Sequence, residues 1–116
     1  MGVAMRLRGR WYWVTSVLYA ALCLWAYPAF PQPRAYVSNE KSNDLTVIDT
    51  ETDKVIATVP VGERPRGIRL SPDGKKVYLA LGEEDRIAVV DTATLRVTEK
   101  MPAGTDPEAF DVSPDG

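Results

Sequence analysis

The chain has 116 residues, with 14 Lys and Arg against 16 Asp and Glu, a formal net charge of −2, one cysteine and no histidine. The mildly acidic balance argues against nucleic acid as a partner. Without histidine, this sequence lacks the commonest general base, the commonest metal ligand and the usual haem ligand.

Residues 1–29 read as an export signal. Arg6, Arg8 and Arg10 form a positive start, and residues 11–27 carry no charge before Pro28, Pro31 and Pro33 break the run. A basic start, a short apolar core and a helix-breaking exit make a secretory signal peptide. Its 17 uncharged residues are also marginally long enough to span a bilayer, which wants about 20. Cleaved signal and uncleaved anchor therefore both stay open. Tyr27 and Leu24 are poor residues for the position three before a cleavage site, so that site is not fixed. The arginines alternate with other residues rather than forming an adjacent pair, which points to Sec export rather than twin-arginine export. Cys23 follows Leu22, which is too large for a lipoprotein signal, and reads as an apolar residue of this segment. Loss of the three arginines with the signal leaves 11 basic against 16 acidic residues, a net charge of −5. Residues 30–34 are a proline-rich linker.

From Tyr36 onward the sequence returns every 42 residues without insertion or deletion. Asp49 and Thr50 recur as Asp91 and Thr92, Pro60 as Pro102, and Gly62 as Gly104. Ser71-Pro72-Asp73-Gly74 recurs as Ser113-Pro114-Asp115-Gly116. A period of about 40–45 residues with several short strands per copy marks a β-propeller blade. The expected fold is therefore all-β, and residues 35–116 read as an incomplete β-propeller.

The elements follow in order. Residues 35–61 form a partial blade, with strands at 35–38, 45–48 and 55–59. Residues 66–101 form a full blade, with strands at 67–70, 77–81, 87–90 and 97–101. Residues 87–90 are almost continuously apolar, which predicts burial on both faces. Thr98, Glu99 and Lys100 suit an outer, solvated strand. Asp49 and Asp91 suit Asx turns, and Ser-Pro-Asp-Gly is tight-turn chemistry rather than a cation loop. Residues 108–116 read as the first strand and turn of a following blade. The first copy opens one strand short, so three N-terminal strands and one C-terminal strand are expected to share a blade at closure. Propellers carry about 4–8 blades, so 116 residues are expected to be part of a longer protein, about five blades being absent. The other possibility is a two-repeat protein that oligomerises into a ring.

The segments at residues 35–39, 47–50, 55–62 and 71–74 resemble the YVTN family of β-propeller repeats. Pro65-Arg66-Gly67 and Asp106-Pro107-Glu108 are similar to an exported subgroup associated with catabolism that depends on pyrroloquinoline quinone (PQQ). The Sec-type signal implies a periplasmic or secreted protein, and the resemblance implies a quinoprotein dehydrogenase or cytochrome c as partner. Contact with a membrane is expected only through the signal or anchor segment.

No catalytic, cofactor-binding or metal-ligating constellation is visible. The residues that break the repeat are more informative. Arg64 and Arg66 align with Asp106 and Glu108, so two interblade loops carry opposite charges at matched positions. The fold does not demand that difference. These four residues are the candidate partner or ligand site, with the arginine forks suited to an anionic group, against the plainer reading of a salt link between neighbouring loops. An acidic cluster, Glu83-Glu84-Asp85, reads as a solvated loop. On this reading the protein is an exported binding or scaffold protein, accessory to PQQ-dependent alcohol oxidation. The alternatives are a propeller enzyme with its site in the central channel, such as a lactonase-like hydrolase or a cofactor-bearing oxidoreductase, and a cell-surface adhesion or layer protein.

Overall fold

A computed structural model describes residues 32–116. The expected signal segment lies outside these residues. The described chain is all-β, with seven strands in two antiparallel sheets. The first sheet has the order β1 (Arg34–Asn39), β2 (Asp44–Asp49) and β3 (Lys54–Pro60). The second has the order β4 (Pro65–Leu70), β5 (Lys76–Leu81), β6 (Arg86–Asp91) and β7 (Arg96–Pro102). These are the strands expected of a partial and a full blade, each extended by a residue or two.

The 42-residue period is written into the backbone as well as the side chains. A bulge between Val47 and Ile48 in the β2–β3 ladder recurs between Val89 and Val90 in the β6–β7 ladder. Among the described residues, six non-glycine residues have positive φ, and they form three pairs one repeat apart: Asn43 with Asp85, Asp53 with Leu95, and Arg64 with Asp106. Asn and Asp tolerate this left-handed conformation because their short side chains bond locally. Leu95 and Arg64 have no such help and are held there by the surrounding turns.

Strand alternation gives each sheet two faces. In the first sheet, Tyr36, Val47 and Ala57 sit side by side across the three strands, and so do Ser38, Leu45 and Val59. In the second, Val77 pairs with Val90 and Leu79 with Ala88. Leu45, Val47, Val59, Val77, Leu79, Leu81, Ala88 and Val90 belong to one buried cluster, against which Tyr36, Ala57, Ile68 and Val97 pack. The core is thus one face of the first sheet against the opposite face of the second. The two copies stack front to back, as successive blades do. Val89 is also buried, so β6 is apolar on both faces as its sequence predicts.

One expected element is missing. Residues 108–112 form no strand, although the turn after them closes through the Gly116 amide donating to the Ser113 carbonyl at 2.8 Å. A strand exists only with a partner to hydrogen-bond, and none of the described strands pairs with these residues. They still run close to β4: a Cβ added at Gly67 would lie 2.6 Å from the Glu108 carbonyl oxygen.

Leu79 has no exposed surface, whereas Val55 is 60 % exposed. Leu79→Ala should therefore cost about 2–5 kcal/mol in denaturant unfolding, and Val55→Ala less than about 0.5 kcal/mol. Equal losses would contradict the front-to-back core.

Candidate functional site

Antiparallel pairing sends alternate connections to opposite edges of the stack. The β2–β3, β4–β5 and β6–β7 turns lie on one edge. The β1–β2, β3–β4 and β5–β6 loops and the segment after β7 lie on the other. The two edges have different chemistry.

The turn edge is scaffold. The Asp49 carboxylate accepts from the amides of Glu51 and Thr52 at 2.8 and 3.2 Å. The Asp91 carboxylate accepts in the same way from Ala93 and Thr94 at 2.9 and 2.8 Å. These are the expected Asx turns. The Thr94 amide leads in holding the Asp91 carboxyl below its ordinary value. Within Ser71-Pro72-Asp73-Gly74, the Ser71 hydroxyl donates to Asp73 at 2.6 Å and accepts from the Lys76 amide at 3.0 Å. That hydroxyl is the largest cause of the lowered Asp73 pKa. Most polar groups here are used within their own turn; in addition the Thr92 hydroxyl donates to the Gly74 carbonyl at 2.8 Å and Arg34 Nη1 donates to the Thr92 carbonyl at 2.9 Å.

The loop edge links the repeats to one another. The Asn43 side chain accepts from the Arg64 amide at 2.9 Å, and the Asp85 side chain accepts from the Asp106 amide at 2.8 Å. These bonds are equivalent, one repeat apart, and each pins an interblade loop to the hairpin loop beside it. Gly82 sits where the loops crowd: a Cβ there would lie 2.8 Å from Asp106 Oδ1 and 3.4 Å from Arg64 Cδ.

All four predicted site residues meet on this edge. Arg64 Nη1 lies 3.3 Å from Asp106 Oδ1, and Arg66 Nη1 pairs with Glu108 Oε1. Arg66 Nη1 also lies 3.8 Å from Asp106. Two carboxylates that the sequence did not single out as partners complete the cluster. Glu40 Oε1 lies 3.1 Å from Arg64 Nε and 3.5 Å from Arg66 Nε, and Glu83 Oε1 lies 3.1 Å from Arg64 Nη1. The hydrogen bond to Glu40, then the charges of Asp106 and Glu83, raise the Arg64 pKa further above its already high value. The opposite charges at matched positions are therefore a salt link between neighbouring loops. The expectation of an outside anion on the arginine forks meets guanidinium groups that already bond carboxylates of this chain. Two arginines against Glu40, Glu83, Asp106 and Glu108 leave the six groups with a net charge of −2. Arg69 and Asp111 add a third pair one repeat apart, at 3.4 Å.

The acidic cluster after β5 divides three ways. Glu83 joins Arg64, and Asp85 holds the next loop. Glu84 turns inward, 23 % exposed, and accepts from Lys100 Nζ at 2.7 Å and from the Glu63 amide at 2.8 Å. It is thus a structural group rather than a solvated one. The recurrence of Asn43 as Asp85, both residues favoured at left-handed turns, was the one sequence signal that could have identified the loop anchors. Glu40 lies in the loop at residues 39–44, which strand alternation also sends to this edge, but no residue pattern paired it with the arginines. Among the described residues, no group of His, Cys, Asp or Glu is arranged to hold a metal ion.

No family model matches the chain, and no curated protein matches it by sequence. Solved structures do match. Hydrazine synthase of Kuenenia stuttgartiensis is 27 % identical with a TM-score of 0.69, over 78 % of this chain and 29 % of that one. The dihydro-heme d1 dehydrogenase NirN, solved in complex with DHE, is 27 % identical with a TM-score of 0.66, over 78 % of this chain and 20 % of that one. Apo AztD from Citrobacter koseri is 23 % identical with a TM-score of 0.58, over 66 % of this chain and 22 % of that one. These are β-propeller proteins, and the chain has their fold. It spans less than a third of the length of each.

Burial pushes the Glu84 carboxyl up, but the Lys100 ammonium, the Glu63 amide and the charge of Arg86 outweigh it and leave the group below the ordinary glutamate value. A carboxyl lowered on folding stabilises the fold above the ordinary range, and that contribution is lost as pH falls through the folded value. Thermal unfolding from about pH 7 down to about pH 3 should therefore show Glu84→Gln less stable than the native chain at neutral pH, with the two curves converging in acid. A gap that persists undiminished in acid would contradict this role.

Proposed function

We propose that residues 35–116 form blades of an exported β-propeller that works by binding, and that its partner docks on the loop edge around Arg64, Arg66, Asp106 and Glu108. The observation that carries this reading is the difference between the two edges. The turn edge uses most of its polar groups in bonds within or between its own turns, with the longer reach of Arg34 to the Thr92 carbonyl. The loop edge places six charged side chains in one exposed network that changes sign between repeats. Exposed ion pairs contribute little net stability, so folding alone is a weak reason for such a network. Charge at an exposed rim serves association rate and partner choice. Its net charge of −2 favours a partner that presents basic groups.

The export of the protein rests on the basic and apolar pattern of residues 1–29, and a periplasmic or secreted location follows from it. The class of partner rests on the YVTN-like repeats and on Pro65-Arg66-Gly67 and Asp106-Pro107-Glu108. That resemblance leads to a quinoprotein dehydrogenase or a cytochrome c of a PQQ-dependent alcohol oxidation system. A dehydrogenase and a synthase among the structural neighbours are consistent with a place beside redox enzymes.

The test is binding of the purified quinoprotein dehydrogenase and c-type cytochrome of the same organism to the immobilised protein. Glu83→Lys or Glu40→Lys should weaken binding about tenfold at low ionic strength and less at high salt, because a rim charge acts mainly through steering. Asp73→Lys on the turn edge should leave binding unchanged. Loss of binding on the turn edge alone would refute the assignment of the face.

A further inference from the structure

We propose that Glu84, held by Lys100, is the positioning residue of the loop-edge site, setting Arg64 against its carboxylates through the Glu63 amide. Its part in binding rests on the docking face proposed above. The placement itself is a property of this chain alone.

Three observations converge on it. The first is reach. Glu84 lies in the β5–β6 loop, yet its two oxygens leave that loop in different directions. Oε1 accepts from the Glu63 amide at 2.8 Å, and Oε2 meets Lys100 Nζ of β7 at 2.7 Å. One carboxylate thus ties the β3–β4 loop to the β5–β6 loop and to β7. Glu63 directly precedes Arg64, and Glu84 directly follows Glu83. Arg64 Nη1 and Glu83 Oε1 are 3.1 Å apart, so both ends of that ion pair sit one residue from a group that Glu84 fixes.

The second is fit. Gly62 has a φ of 133°, and a Cβ there would overlap Glu84 Oε1 and lie 2.8 Å from Lys100 Nζ. The loop backbone is pressed against the ion pair, and glycine leaves room for both the conformation and the contact. Successive peptide groups of the loop are then pinned in turn. The Glu63 amide donates to Glu84, the Arg64 amide to Asn43 Oδ1 at 2.9 Å, and the Arg64 carbonyl accepts from the Gly82 amide at 3.0 Å. Together they hold Arg64 at a φ of 58°, a conformation that an arginine leaves when it is free to do so.

The third is departure from the repeat. The Asn43 anchor and its Asp85 equivalent recur one repeat apart. Glu84 and Lys100 do not recur: they align with Ser42 and Thr58. The repeat already supplies a loop anchor, and the Glu84 bond is added to it at the loop that carries Arg64. That arginine bonds Glu40, Glu83 and Asp106 together, so its placement decides the arrangement of the site.

Hydrogen exchange at Arg64 Nε, read by NMR on the full chain labelled with nitrogen-15, tests the placement without a partner. That group donates to Glu40 Oε1 at 3.1 Å. Glu84→Ala should speed its exchange at least about tenfold, because the loop then opens locally. Glu84→Gln combined with Lys100→Met abolishes the ion pair but keeps an acceptor for the Glu63 amide. It should exchange within about twofold of the native chain. Val77→Ala, which weakens the core at its turn-edge end, should also leave the rate in place. A native rate in Glu84→Ala, or equal acceleration in Glu84→Ala and either of the other variants, would overturn the proposal. Glu84→Ala should also weaken binding of the dehydrogenase or cytochrome at low ionic strength. If neither protein binds the native chain, the docking reading falls and the exchange rates still decide the placement. If one binds and Glu84→Ala speeds exchange without weakening it, docking does not depend on Arg64 and the proposal falls.

Discussion

Everything in this structure depends on an apolar sheet face that has no use except against another sheet. Leu45, Val47 and Val59 on one side, and Val77, Leu79, Leu81 and Val90 on the other, are removed from water only because the two copies lie front to back. Each such side chain contributes about 1.5–3 kcal/mol by burial. A three- or four-stranded sheet alone would leave one face wet. The interface therefore does more for the chain than any turn or ion pair, and the back of the second sheet, with Tyr78, Ile87, Val89 and Met101, resembles the back of the first, with Tyr36, Leu45, Val47 and Val59.

The loop edge follows from that stacking. The segment after β7 runs beside β4 and brings residues one repeat apart side by side, so Arg64 meets Asp106, Arg66 meets Glu108 and Arg69 meets Asp111. Had both copies carried the same charge at these positions, like charges would have faced each other between β4 and the segment after β7. The change of sign is what makes the positions compatible, and it leaves Glu40 and Glu83 to tip the cluster negative. The anchors Asn43 and Asp85 hold the loops in place from within, through bonds to the Arg64 and Asp106 amides. The geometry of the edge is thus set by side chains that face the loops, and its charge by side chains that face solvent.

The strands were legible because the pattern is doubled: an alternation that returns after 42 residues with the same turn residues is hard to read as anything but blades. The Asx turns at Asp49 and Asp91 were legible for the same reason. Three features were not. Strand formation at 108–112 needs a partner strand, and propensity cannot supply one. The inward turn of Glu84 toward Lys100 joins a β5–β6 loop to β7, a contact that local reading of an acidic run does not anticipate. Left-handed backbone at Arg64 and Leu95 is imposed by the turn geometry of the repeat. Only the aspartates at the equivalent positions one repeat away, Asp106 and Asp53, hint at it.

The central claim is that the two sheets fold as one unit through their shared face. Amide hydrogen exchange on the full chain, with and without Val47→Ala, addresses it directly. Val47 is fully buried in the first sheet, and its truncation should lower protection in β5 and β6 of the second sheet by the same factor as in β2, since a cooperative unit opens as a whole. Loss of protection confined to β1–β3, with β5 and β6 exchanging at their original rates, would contradict the account.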